Sequence, residues 1–175
     1  MNIKTIFLDR DGVINKEVGY LYKVKDFQFI NGVFQACKYL TQLDYKIIII
    51  TNQSGISRGY FSENDFQIIN NWMVNQFKKN NIDILDVFHC PHSPKLNCEC
   101  RKPRPGMLLK AKNKYSINML ESWMVGDSER DINAANAAEI ENTILVRSGH
   151  KIDQKNSKAK HFLDSISQIS QIISK

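Results

Sequence analysis

Two aspartates one residue apart, Asp9 and Asp11 in the segment DRDG (9–12), follow an apolar run directly and are backed by Gly12. Carboxylates at the edge of a core cost free energy unless a cation or hydrogen bonds compensate them. If the strand persists to Asp11, period-two alternation puts both side chains on one side. There they repel unless one is protonated or a cation joins them. A capped strand end with a solvated turn is the alternative reading of these residues alone. The segment VGDSERD (125–131) adds Asp127 and Asp131. That is enough further oxygen for a magnesium ion, which takes hard oxygen ligands and retains water. Asp127 is the stronger candidate, because Ser128 and Asp131 also have the spacing of a helix capping box.

Two further segments carry chemistry. TNQSGISRG (51–59) follows a run of four isoleucines. Thr51 and the turn built on Gly55 and Gly59 can offer a hydroxyl and backbone N–H groups to a phosphate, although any loop between a strand and a helix needs such a turn. CPHSPKLNCECRKPRPG (90–106) brings Cys90, His92, Cys98 and Cys100 into one short stretch. Three thiolates and an imidazole fill a tetrahedron with no open position, so the zinc they predict is structural. Arg101 and Lys102 come straight after the last ligand, and Pro103 and Pro105 stiffen the exit. A loop tied by metal would aim two cations at one place, and phosphate binding is the expectation there, against two solvated charges.

The elements that must position these residues follow from a chain of 175 residues, which is enough for one domain (1–175) with a small zinc loop (90–104) inserted. Lys and Arg number 24 against 18 acids, a net charge of +6 that would suit a phosphorylated small molecule. There is no arginine-rich stripe with interleaved aromatics, so nucleic acid is not the expected partner. No apolar run approaches the roughly 18 residues that span a bilayer, so no membrane partner is expected. The N-terminus enters a strand-like segment without the sections of a signal peptide. A cytoplasmic, soluble protein is therefore expected, and clustered cysteines in a reducing compartment point to metal in place of disulfides. Cys37 stands apart and reads as a small core residue.

Strand-like segments fall at 3–9, 45–51, 84–90, 122–127 and 142–147, with 161–164 as an edge candidate, and most are apolar on both faces. Helical patterns lie between them at 33–43, 62–80, 105–115, 129–138 and 165–174. The second opens with the capping pair Ser62 and Asp65, and the last has Ile166, Ile169 and Ile173 in step. Strand–helix alternation implies right-handed crossovers. The expected architecture is α/β, a three-layer Rossmann-like parallel sheet with helices on both faces, a small zinc-binding loop insertion and no large cap domain. Ligands of such folds bind beyond the carboxyl ends of the strands, and Asp9, Thr51 and Asp127 all sit there.

Taken together, D-x-D-G at 9–12, Thr51 at a strand end, Lys102 and G-D-x-x-x-D at 126–131 resemble the haloacid-dehalogenase-like phosphatase superfamily, over about residues 3–150. The C-x-H…C-x-C-R-K-P loop narrows the resemblance to its zinc-containing group, which includes histidinol-phosphate and heptose-bisphosphate phosphatases. DRDGVIN, GYLYKVKDFQF, TNQSGISRGYF, RKPRPGM and VRSGH are similar to segments of the heptose-bisphosphate enzymes. The zinc loop, with five residues between His92 and Cys98, is nearer the histidinol-phosphatase length. Ser128 stands where some heptose enzymes carry a basic residue.

The resemblance implies Asp9 as nucleophile, Asp11 as proton donor and acceptor, and Thr51 and Lys102 as stabilisers of the phosphoryl group. It implies magnesium held by Asp9, the Asp11 backbone carbonyl and Asp127. It also implies substrate contacts from Glu17, Val18, Gly19, Tyr20, Thr51, Asn52, Gln53, Ser54, Arg101 and Lys102, and a monomer acting on a phosphorylated sugar. Surplus cations such as Arg101 and Arg58 suit a substrate with a second phosphate. The rival readings are a histidinol-phosphate phosphatase, a polynucleotide 3′-phosphatase and a non-catalytic zinc-stabilised binding module.

Overall fold

The computed structural model describes residues 3–174; Met1, Asn2 and Lys175, the ends of the span expected as one domain, lie outside the described residues. Six parallel strands form one sheet: β1 Thr5–Leu8, β2 Lys46–Asn52, β3 Ile84–Cys90, β4 Trp123–Gly126, β5 Asn142–Val146 and β6 His161–Leu163. Their order across the sheet is β3-β2-β1-β4-β5-β6. The chain runs outward from β1 to β3, then returns to the other side of β1 and runs outward again. The order therefore reverses between β1 and β4, and a crevice opens beyond their carboxyl ends.

Four α-helices cover the sheet: α1 Val33–Gln42, α2 Glu63–Lys79, α3 Gly106–Tyr115 and α4 Glu129–Ala137. One core joins Ile6, Leu8, Ile47, Ile49, Val125 and Ile144 to α1, α2 and the C-terminal segment. The other joins Phe7, Ile48, Ile50 and Met124 to α3 and α4. Residues alternate between the two cores along each strand, which is why the strands read as apolar on both sides. Ile47–Ile50 are all fully buried, and each contributes about 1.5–3 kcal/mol in surface removed from water. α2 begins with the reciprocal capping box of Ser62 and Asp65.

Two elements depart from the sequence expectation. β1 ends at Leu8, so Asp9 and Asp11 are not placed by strand alternation. The chain turns there, the Arg10 carbonyl accepting from the N–H groups of Ile14 and Asn15. The C-terminal segment is a 3-10 helix over Ile166–Gln171, not an α-helix over 165–174. Ser165 caps its start, Oγ accepting from Ser167 N. The tighter winding still buries Ile166, Ile169 and Ile173.

Candidate active site and metal centre

Asp9 leaves the carboxyl end of β1 and Asp127 that of β4, so the adjacency of these two strands brings their side chains together. Asp131, in the first turn of α4, completes a set of three carboxylates whose oxygens lie within 4.8 Å of one another. It does both things the sequence left open. One oxygen accepts from Ser128 N in the capping box, and the other lies 2.6 Å from Lys102 Nζ.

Among the described residues Lys102 is the one ammonium at this cluster. Its Nζ is 2.9 Å from Asp9 Oδ1 and donates to the Ile50 carbonyl at 2.8 Å. Its backbone is clamped by Asn52, whose amide oxygen accepts from Lys102 N and whose Nδ2 donates to the Lys102 carbonyl, both at 3.1 Å. The end of β2 thereby sets the position of a residue fifty positions later.

Burial pushes the Asp9 carboxyl well above its usual range; the Lys102 charge opposes this, and Asp131 and Asp127 add to it. Burial likewise raises Asp127, with the Asp131 charge behind it and His150 opposing. Burial works against the Lys102 ammonium, but Asp131 and Asp9 outweigh it and hold Lys102 up at about 12. Three carboxylates and one ammonium leave two negative charges, the amount one divalent cation would cancel. The all-oxygen donor set is the kind magnesium takes.

Asp127 fits a niche with no spare room. A Cβ on Gly12, whose φ is +85°, would come within 2.2 Å of Asp127 Oδ2, and one on Gly149 within 1.9 Å. The glycine of D-x-D-G is thus required by a carboxylate from another strand as well as by its own left-handed backbone. His150, which the sequence left unassigned, contacts that same oxygen through its ring and its backbone N–H.

Asp11 stands apart from the acidic set. Its carboxylate accepts from Arg10 Nε and Nη2, from Asn15 Nδ2 at 2.9 Å and from Gln53 Nε2 at 3.0 Å. Gln53 Nε2 also donates to Thr51 Oγ1 at 2.9 Å, which leaves the Thr51 hydroxyl hydrogen free for another acceptor.

The three acids of the cluster, Asp11, Thr51, Gln53, Lys102 and His150 line one open cavity of about 410 Å³. Of the residues the resemblance named for substrate, Glu17, Gly19, Tyr20, Thr51, Asn52, Gln53, Ser54, Arg101 and Lys102 line it. Val18 does not; it is exposed and faces a neighbouring groove with Tyr22 and Gln28. Asn52 reaches the cavity wall with its amide engaged by the Lys102 backbone.

Cys90 ends β3 and meets His92, Cys98 and Cys100 in a second cluster. Sγ–Sγ separations are 3.1–3.6 Å, and His92 Nδ1 is 3.2 Å from Cys100 Sγ and 3.6 Å from Cys90 Sγ. These are far beyond a covalent S–S bond and close to the edge of about 3.8 Å that a tetrahedron with Zn–S near 2.3 Å requires. Burial pushes the Cys98 thiol up, but the Arg101 backbone N–H, the two other thiols and His92 outweigh it and hold Cys98 down at about 7. Arg101 Nη1 donates to the His92 carbonyl at 3.2 Å, tying the loop to the cation that follows it.

The sheet order and strand-end carboxylates define the class, a Rossmann-type core of the haloacid-dehalogenase-like kind, and the HAD-hydrolase-like family model matches residues 99–169. A D-glycero-alpha-D-manno-heptose-1,7-bisphosphate 7-phosphatase of Photorhabdus laumondii is 47% identical over 164 residues, covering 90% of each chain. A D-glycero-beta-D-manno-heptose-1,7-bisphosphate 7-phosphatase of Yersinia pestis is 39% identical, covering 98% of this chain and 96% of the relative. The solved structure of a D,D-heptose 1,7-bisphosphate phosphatase from B. bronchiseptica, complexed with magnesium and phosphate, superposes with a TM-score of 0.85 at 30% identity, covering 97% of both chains. The chain belongs to the heptose-1,7-bisphosphate 7-phosphatase family of haloacid-dehalogenase-like hydrolases.

Proposed function

We propose that this protein hydrolyses the 7-phosphate of D-glycero-D-manno-heptose 1,7-bisphosphate through an aspartyl-phosphate on Asp9. The observation that carries the reading is the seating of the Asp9 carboxylate. Lys102 Nζ and the Arg10 N–H, at 2.9 and 2.8 Å, both hold Oδ1. Oδ2 accepts no hydrogen bond among the described residues, so the rotation of the group is fixed with one oxygen open. An Asp9 oxygen attacks phosphorus, the new O–P bond forms, and the bond to the sugar oxygen breaks. Asp11 gives its proton to the departing sugar oxygen, then takes one from the water that hydrolyses the intermediate. Its fork of donors keeps it at the cavity edge for both transfers. Lys102 and the Thr51 hydroxyl face the charge that develops on the phosphoryl oxygens.

An anion attacking an anion is opposed by about 4 kcal/mol per unit pair at 4 Å and an effective dielectric near 20. Magnesium, held by Asp9, Asp127 and Asp131 with the Asp11 carbonyl, would supply the offsetting charge when bound. Zinc at Cys90, His92, Cys98 and Cys100 would have a structural part, fixing Arg101 and Lys102. The chain folds as a single domain, acts as a soluble monomer in the cytoplasm and takes a phosphorylated sugar.

The test is a phosphate-release panel with magnesium, comparing the alpha and beta heptose 1,7-bisphosphates with histidinol phosphate. Turnover of a heptose bisphosphate well above histidinol phosphate is expected. Preference for histidinol phosphate would overturn the substrate reading.

A further inference from the structure

The floor and the rim of the cavity differ in charge. Thr51, Lys102, Asp127 and Asp131 at the floor are buried, whereas the rim carries Arg58 and Arg130, exposed, and Arg101, half-buried. The three guanidinium groups line the same opening. None of the three pairs with a carboxylate among the described residues. Arg101 donates to a carbonyl, Arg130 Nε donates to the Ser128 hydroxyl at 3.2 Å, and Arg58 sits over the Tyr20 ring. Three uncompensated guanidiniums around one opening repel each other, a cost that a shared anion relieves. The transferred phosphoryl group cannot be that anion, because its cation is Lys102 at the floor. The rim fits a second phosphoryl group on the same substrate.

Within this rim Arg130 is the residue no sequence motif indicated. It stands in the first turn of α4, one residue from the capping-box pair that places Asp131 against Lys102. Ser128, which caps the helix, also braces the Arg130 guanidinium. It lines both the main cavity and the adjoining basic recess shared with Arg101 and Arg104. We propose that Arg130, on the same rim as Arg58 and Arg101, binds the non-reacting phosphate and sets the preference for a bisphosphate over a monophosphate. The fork of a guanidinium gives two parallel donors to a phosphate.

This inference rests on the bisphosphatase reading, and the experiment separates the two. Wild type, Arg130→Ala and Arg130→Lys are assayed on heptose 1,7-bisphosphate and on heptose 7-phosphate. The ratio of kcat/KM for bisphosphate over monophosphate is expected to fall about 10- to 100-fold in Arg130→Ala. The loss should lie chiefly in KM, with partial recovery in Arg130→Lys, which keeps the charge and loses the fork. A ratio retained in a folded Arg130→Ala protein would overturn the role of Arg130 and leave the bisphosphatase reading standing. A wild type without preference for the bisphosphate would overturn both.

Discussion

His150 Nδ1 lies 2.6 Å from Asp127 Oδ2, and the His150 backbone N–H donates to the same oxygen at 3.0 Å. A carboxylate oxygen accepts, so Nδ1 carries the hydrogen in this pair. With Gly12 and Gly149 closing the niche around the same oxygen, the carboxylate has little room to turn. Groups that orient a metal ligand contribute about 10- to 100-fold to affinity. His150→Ala keeps the backbone donor and loses the ring. The magnesium concentration for half-maximal activity, and the magnesium Kd by calorimetry, should rise about tenfold. An unchanged Kd would show that the glycine walls alone hold Asp127.

Asp9→Asn removes the charge of the proposed nucleophile and retains its shape. Turnover should fall by at least about 10⁴-fold, while the chain stays folded. Burial raises the Asp9 pKa, so the folded state binds this proton more readily than the unfolded state. In magnesium-free buffer the contribution is fully present below the unfolded pKa, near 4, and is lost as pH rises through the higher folded value. The neutral amide avoids that loss, and Asp9→Asn should equal or exceed wild type in Tm at neutral pH. A phosphate burst from the variant would remove Asp9 as nucleophile.

How much of this was visible beforehand depends on what fixed each residue. Asp9, Thr51 and Asp127 were legible because they end strands whose apolar runs are unmistakable, and a parallel sheet delivers strand ends to one edge. The Cys/His cluster was legible because four candidate ligands, three cysteines and a histidine, fall within eleven residues. Asp11 would share the side of Asp9 only if the strand persisted that far; the turn after Leu8 places it instead, held by Gln53 from the end of β2. The pairing of Asp131 with Lys102 joins a helix start to a loop twenty-nine positions earlier, and no local periodicity encodes it. His150 did carry a usable signal, since it follows β5 by four residues and so stands at the same edge of the sheet.

The four cysteines should separate cleanly by reactivity. Burial pushes the Cys37 thiol up to about 12 inside the core between α1 and the sheet, whereas Cys98 is held down at about 7. Thiolates bound to zinc are shielded from alkylation, and the thiolate is the reactive form. Metal-loaded protein should therefore show no fast thiol toward iodoacetamide. A chelator should expose three, Cys98 first, with Cys37 reacting only on unfolding. Mass spectrometry locates the adducts. Three fast thiols before chelation would contradict a filled zinc site.

Lys102 bridges two carboxylates at 2.9 and 2.6 Å and is almost wholly buried, as is Asp131. Removing one partner of a buried ion pair costs about 3–5 kcal/mol, because the remaining charges have neither water nor a counterion. Lys102→Met should therefore lower stability by that amount in magnesium-free buffer at pH 8, besides abolishing turnover. The sign of the pH dependence follows from the pKa, which is raised from 10.5 in the unfolded chain to about 12 in the folded one. The stabilisation is fully present below 10.5 and disappears as pH rises through about 12, where wild type loses the same charge. The gap in unfolding free energy between wild type and Lys102→Met, measured by urea titration, should shrink steadily from pH 10 toward 12. A gap that stays constant across that window would mean that the lysine's alkyl chain, and not its ammonium, stabilises the cavity floor.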